Sequence, residues 1–547
     1  MSRDSQTGGV TLLSRLQIHV MNITCPISRL PPEILLEIFS LVVAEWQPEL
    51  LWDHQRVSAA FGTPIHIPSY TWLPITHVCR YWRDIAVQSP KLWTTVILNQ
   101  SGFLSTVLVW SQSLPISLYL YIQRGHVDYS DEEQLQIPDL LSPHLHRVKR
   151  LQIVSADYSH SLRGALSYCH FSSIREITVT MVNAPRRQND DLDHHEELFR
   201  GWTNPEYDGL RSLSFARITL PGIRVAIRPN LRYLSIYLPI GDIELPIFLS
   251  VIERIPLLET LSIATPNTYF MPPVEALLEP HKIVTLSRLR SLQINSSRLF
   301  PRNIMRHLSY PNITSISLDL SDLDDLETDP DALADHLISS FPNDLRCLSL
   351  RANRNVCKLS GWKESVPDQD LRDPSVSAPY TIRIHLDNIY ESRVSAWTFD
   401  CLASRLFTDS LETLALDIDF LYCVEIDIPV SLNEYAPNLR RLSISTMLNL
   451  SCILLPDHEI GLEKYSYIPI PRLTHLWIDR VEEMEDCLID SILCKRKASG
   501  SVLEVLSVPE CSDSYEMTAG LVGKLEIRDT GYLSLSDHLA FWATALN

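Results

Sequence analysis

The amino-acid sequence predicts an α/β protein: a small all-helical module, then an irregular array of strand–helix repeats with parallel strands on a concave face and helices on the convex face. Three observations lead to that prediction. A chain of 547 residues exceeds what one hydrophobic core ordinarily serves, so it requires several domains or a repeat array. A six-residue pattern, apolar-x-x-apolar-x-apolar, returns along most of the chain. Proline is abundant, 35 residues against 16 glycines, and stands just ahead of many of these hexads.

Composition bounds the function classes. Apolar residues at 45% and charged residues at 21% are the balance of a folded protein. A formal net charge of −19 repels nucleic acid and anionic lipid, so neither is an expected partner. No stretch reaches the ~20 apolar residues of a membrane helix, and the apolar run from Val10 to Val20 is broken by Arg15 and Gln17. The 11 scattered cysteines have no paired spacing, which points to a reducing compartment, cytoplasm or nucleus.

Residues 1–25 are expected to be disordered, and residues 26–100 to form the helical module. In Leu30-Pro31-Pro32-Glu33-Ile34-Leu35, proline suits a first helical turn and Glu33 suits the positive end of the helix dipole. Ile34, Leu35, Ile38 and Leu41 or Val42 then recur at helical spacing. A second stripe holds Ile75, Val78, Trp82, Ile85 and Ala86, and stops at Ser89-Pro90 before Leu92-Trp93. Two short helices cannot bury this much apolar surface on each other, so part of it should face another surface. An insert at 44–73, rich in proline and aromatic residues, separates them.

The ordered string Leu30-Pro31, Glu33-Ile34-Leu35, Ile38-Phe39, Val78-Cys79-Arg80-Tyr81-Trp82-Arg83, Pro90 and Leu92-Trp93 resembles an F-box. It is particularly similar to the F-box-like proteins of mushroom-forming fungi. That resemblance implies docking on the Skp-type adaptor of a cullin-RING ubiquitin ligase. Leu30, Pro31, Ile34, Leu35, Ile38 and Phe39 would supply the first contact helix. Val78, Trp82 and Ile85 would mix core and interface roles, and Leu92 and Trp93 would close the module.

The hexads place a repeat array over residues 101–510 and a cap over 511–547. They begin at Val148, Ile174, Leu210, Leu231, Leu258, Leu289, Ile313, Leu345, Leu411, Leu439, Leu473 and Leu503. The long gap from Leu345 to Leu411 leaves room for a degenerate unit at Ile382 to Leu386. Proline cannot continue a helix, and upstream segments such as Ile247 to Ile255 have helical period, so each repeat reads helix, proline stop, short strand. Strands separated by a helix run parallel and stack. This is leucine-rich-repeat logic and implies a solenoid. It resembles the degenerate array that follows the F-box in the same fungal family.

Within a hexad, positions 1, 4 and 6 face the core and positions 3 and 5 the concave side. Position 5 is mostly serine (Ser214, Ser235, Ser262, Ser317, Ser349, Ser443, Ser507), which reads first as a structural ladder and second as a binding row. For a target protein on the concave face the candidates are Arg150, Tyr233, Arg441, His475 and Trp477, since arginine and aromatic side chains dominate binding hot spots.

Catalytic constellations are absent from the sequence pattern. The acidic and histidine run Asp190 to Glu197 lacks metal-ligand spacing, and Asp319 to Asp331 lacks the glycine turn of a calcium loop. Gly520 to Lys524 is not a phosphate loop, and no nucleophile elbow occurs. The expectation is a non-enzyme without metal or cofactor: a substrate receptor that tethers a target to a ligase. The alternative is an interaction scaffold whose F-box has become a cap. Accessible Leu35, Phe39 and Trp82 favour the first; covered, they favour the second.

Overall fold

The computed structural model describes residues 27, 30–45, 70–98, 101–122, 140–155, 173–181, 209–218, 220–238, 245–264, 283–295, 304–305, 307–320, 344–352, 356–365, 378–386, 409–418, 436–444, 470–478, 486–509 and 520–528. The chain divides into two units, Met1–Pro239 and Ile240–Asn547.

The first unit opens with α1 (Pro32–Glu45), whose leading proline has no N–H to leave unpaired. A 3-10 turn at Leu73–His77 leads to α2 (Arg80–Val87). Cys79 caps α2, its sulfur accepting the Trp82 N–H at 3.5 Å. A second 3-10 turn, Pro90–Trp93, is followed at once by β1 (Thr95–Ile97). Then come α3 (Ser101–Trp110), β2 (Ile116–Ile122), β3 (Val148–Ser155), β4 (Glu176–Met181), β5 (Ser212–Ala216), α4 (Leu220–Ala226) and β6 (Tyr233–Tyr237). β1 to β6 pair in chain order, each parallel to the next.

The module therefore differs from the all-helical expectation. Its last residues, Thr95-Val96-Ile97, are β-branched and form a strand on the open edge of β2. Aromatic packing fixes the junction. Trp93 lies 4.7 Å from Trp72 and 4.4 Å from Trp110 between ring centroids, and its Nε1–H donates to the Ala86 carbonyl at 2.8 Å. The Tyr70 hydroxyl donates to the Thr95 carbonyl at 3.3 Å and accepts the Ile97 N–H at 3.0 Å, so two backbone groups of β1 are held by one side chain. Burial pushes that phenol's pKa up to about 12, with the Ile97 hydrogen bond opposing.

The second unit contains α5 (Leu245–Glu253), β7 (Thr260–Ala264), β8 (Val284–Thr285), β9 (Ser291–Asn295), β10 (Leu308–Ser309) and β11 (Ser315–Leu320). It continues with β12 (Cys347–Ala352), β13 (Val356–Trp362), β14 (Tyr380–Leu386), β15 (Thr413–Ile418), β16 (Arg441–Ile444), β17 (His475–Ile478), α6 (Asp486–Ala498), β18 (Val505–Pro509) and β19 (Lys524–Arg528). The strand order is β7-β9-β11-β14-β13-β12-β15-β16-β17-β18-β19, with β8 and β10 paired separately.

One strand breaks the all-parallel expectation: β13 runs antiparallel to both β12 and β14. The segment between Ala352 and Val356 is too short for a crossover helix, so the chain can only turn back. β14 lies where the degenerate unit at Ile382 to Leu386 was expected, and it pairs parallel with β11.

All twelve hexads lead into strands, and their first residues are buried at or just before the start of the strand. Proline has a sharper role there than stopping a helix. In Arg228–Leu231, Ile255–Leu258, Tyr310–Ile313, Ala436–Leu439 and Ile470–Leu473 the fourth residue's N–H donates to the first residue's carbonyl, with proline second. Its fixed φ pre-sets that position of a β-turn. Side chains then tie turn to turn: Asn312 Nδ2 donates to the Ser287 carbonyl at 2.6 Å and Asn438 Nδ2 to the Asp409 carbonyl at 2.7 Å. Asparagine thus bridges neighbouring turns just before the hexads at Ile313 and Leu439.

Two buried arginines donate to backbone carbonyls that lie beyond their own elements. Arg147 donates to the carbonyls of Leu108 (2.8 Å), Leu114 (3.3 Å) and Gln112, closing the C-terminal end of α3. Arg496 on α6 donates to the carbonyls of Ile470 (3.1 Å) and Leu473 (3.2 Å). Burial lowers the pKa of both, that of Arg496 to about 10.

Candidate functional site

The helical module turns one set of its apolar residues inward and another outward. Leu35, Phe39, Leu92 and Trp93 are fully buried, with Trp82 and Ile85 nearly so. Phe39 on α1 meets Trp82 on α2, their ring centroids 5.1 Å apart. On the other side Ile34 is 49% exposed, Leu41 59%, Val78 52% and Tyr81 39%. Ile34 and Leu41 lie two helical turns apart on α1, with half-buried Ile38 between them. Tyr81 Oη donates to the Leu30 carbonyl at 3.4 Å, which brings the Val78–Tyr81 turn to the start of α1.

The docking candidates are thus divided. Leu30, Pro31, Ile34, Ile38 and Val78 are exposed or half-buried; Leu35, Phe39, Trp82, Ile85, Leu92 and Trp93 form the interior that supports them. What covers Phe39 and Trp82 includes each other. Most of the insert at 44–73 lies outside the described residues. Tyr81, named in the sequence only within the motif, joins the outward set; the extended Cys79 breaks helical periodicity between Val78 and Tyr81, so spacing alone does not reveal it.

On the repeat strands, position 3 and position 5 differ. In the first unit position 5 is largely closed off: Gln152, Ser214 and Ser235 are buried and Thr178 is half-buried. Ser214 and Ser235 stand opposite each other, and in the second unit Ser262 Oγ donates to Gln293 Oε1 at 3.4 Å. Position 3 is open. Arg150, Glu176, Ser212 and Tyr233 are successive partners on β3 to β6. Arg150 Nε bonds Glu176 Oε2 at 2.6 Å, and Tyr233 is 39% exposed. The other three target candidates belong to the second unit. Arg441 stands opposite His475 across β16 and β17, and the His475 ring stacks on Trp477 at 5.5 Å and 24°. Trp477 is only 8% exposed, so it presents little surface.

Among the described residues no group of His, Cys, Asp and Glu side chains is placed to hold a metal ion, and no helix is long and apolar enough to cross a membrane. The run Asp190 to Glu197 lies outside the described residues, as does the acidic run past the end of β11, from Asp322 to Asp331. No disulfide links the described cysteines Cys79, Cys347 and Cys494.

A comparison with curated proteins returned no match. A comparison with protein families matched residues 27–99 to the F-box-like family, a span that runs from before α1 to just past β1 and takes in the outward apolar set. The chain therefore contains an F-box-like domain at residues 27–99.

Proposed function

We propose that this protein is a non-catalytic substrate receptor of a cullin-RING, SCF-type ubiquitin ligase. Its F-box-like domain docks on a Skp-type adaptor, the adaptor connects it to the cullin, and the repeat strands hold a target protein. Ubiquitin transfer takes place on other subunits, in the cytoplasm or nucleus. One observation carries this reading. Ile34, Leu41, Val78 and Tyr81 stay exposed on a folded F-box-like domain whose interior is already filled by Phe39, Trp82 and Trp93. Apolar side chains left outside a satisfied core are the usual mark of an interaction surface. The repeat array is read as a degenerate leucine-rich-repeat solenoid, a family trait shared with fungal F-box-like proteins.

The scaffold alternative draws on the burial of Leu35, Phe39 and Trp82. Their cover comes at least partly from within the module, so the deciding surface shifts to Ile34 and Val78. Co-purification of the full chain with a Skp-type adaptor tests the choice. Recovery with wild type and loss with Ile34→Asp/Val78→Asp, both chains folded by circular dichroism, is the expected result. No recovery with wild type rejects the ligase reading and leaves the scaffold.

A further inference from the structure

Position 2 of the hexads, one residue before position 3, carries a pattern that separates the two units. In the first unit the residues are Lys149, Arg175, Arg211 and Arg232, basic on four successive strands. Their backbones are bonded directly in series: Arg175 N–H to the Lys149 carbonyl, Arg211 N–H to Arg175 and Arg232 N–H to Arg211, each at 2.8 Å. The four Cα atoms therefore form a column at the spacing of neighbouring strands, about 4.8 Å. Arg175, Arg211 and Arg232 are exposed, and Lys149 is half-buried.

Among the described residues, Lys149, Arg175 and Arg211 make no ion pair. Lys149 Nζ donates to the Ser173 carbonyl at 3.4 Å and Arg211 Nη1 to the Asn230 carbonyl at 3.1 Å, both uncharged acceptors. The adjacent acid, Glu176, is engaged by Arg150. The second unit is an internal control. There position 2 holds Glu259, Arg290, Thr314, Arg346, Glu412, Arg440, Thr474 and Glu504, in which the signs are mixed and Arg346 pairs with Glu412 at 3.9 Å.

Like charges stacked at one strand spacing repel each other, and a protein of net charge −19 has no shortage of acids with which to break such a row. We infer that the Lys149–Arg175–Arg211–Arg232 column is the recognition surface for an acidic segment of a partner protein, a run of carboxylates laid across β3 to β6. The inference rests on the reading that the repeat strands face a target, and it supplies the chemistry of that target. Tyr233, exposed beside Arg232, offers the apolar contact that a purely electrostatic row would lack. Protein is favoured over nucleic acid because the overall charge opposes a polyanion that extends beyond the four cations.

The test is fluorescence anisotropy of a labelled ten-residue glutamate–aspartate peptide with the full chain, across a salt series. Wild type is expected to bind, more weakly as salt rises. Arg175→Glu/Arg211→Glu is expected to lose affinity by about tenfold or more. Arg290→Glu/Arg440→Glu, the same change at the same position in the second unit, should leave affinity unchanged. Adaptor recovery by each variant is measured in parallel, so that failure of the ligase reading is seen separately from failure of the peptide to bind. No binding by wild type, or equal loss in both double variants, overturns the inference. Tighter binding of a single-stranded oligonucleotide, lost in Arg175→Glu/Arg211→Glu, overturns the assignment to protein.

Discussion

The rings of Phe39 and Trp82 meet at a centroid distance of 5.1 Å and an angle of 59°, and both side chains are closed from solvent. Residues from α1 and α2 that would be natural choices for disrupting adaptor binding are thus part of what folds the module. Phe39→Ala should cost about 3–5 kcal/mol in urea unfolding, the range for a buried aromatic truncated to alanine. Ile34→Ala, half exposed, should cost less than about 1 kcal/mol. Equal losses at the two positions would mean that Ile34 belongs to the core.

Tyr70 makes stability depend on alkaline pH. Its phenol, raised by burial to about 12, keeps its proton in the folded chain while the unfolded chain releases it near 10. The folded state then binds more protons than the unfolded one, so the contribution is full below pH 10 and fades as pH rises through 12. The difference between 10 and about 12 corresponds to about 2–3 kcal/mol. Tyr70→Phe lacks this titration and also loses the bonds to Thr95 and Ile97. The stability gap between wild type and Tyr70→Phe should therefore shrink between pH 9 and about pH 12. A constant gap would show that the phenol titrates normally.

Arg147 is a positional, not merely a charged, requirement. Its guanidinium reaches the carbonyls of Leu108, Gln112 and Leu114 at once, a fan that one ammonium cannot reproduce. Arg147→Lys should destabilise the first unit by about 1–3 kcal/mol, and Arg147→Met by as much or more, because both remove donors from the carbonyls at the end of α3. Full retention of stability by Arg147→Lys would refute the multi-carbonyl role.

Gly523 sits where β19 joins β18. A Cβ there would lie 2.8 Å from the carbonyl oxygen of Glu504, a backbone atom that cannot rotate away. Gly523→Ala should break the start of the β18–β19 pairing and raise amide hydrogen exchange over Lys524 to Arg528, with β16 and β17 little changed. Unchanged exchange in β19 would show that the strand can shift to make room.

Much of the strand layout was legible because a hexad couples two periodicities: position 1 ends a turn, and positions 4 and 6 bury one face of a strand. Leu231, Leu234 and Ile236 show it, each closed from solvent with Tyr233 open between them. β13 was not legible, since its antiparallel direction follows from the short return after Ala352, not from its own residues. The orientation of α1 was not legible either. Ile34 and Leu35 are equally apolar neighbours, and the inward turn of Leu35 and Phe39 depends on packing such as that of Phe39 on Trp82 of α2. The basic column has no hydrophobic period at position 2 to mark it; its sign pattern emerges only once the strands are aligned.

The placement of β1 has a consequence for how a bound target would be presented. Thr95–Ile97 lies inside the F-box-like span and is also hydrogen-bonded to β2, so the domain and the sheet share a rung instead of a tether. From β1 to β6 there are five strand spacings, about 24 Å. Under the proposed receptor function the first unit would act as a ruler: a target seated on a given strand would stand at a set reach from the helices of the F-box-like domain. Inserting flexible residues between Thr94 and Thr95 would then turn that ruler into a leash, scattering the positions at which such a target's lysines are offered.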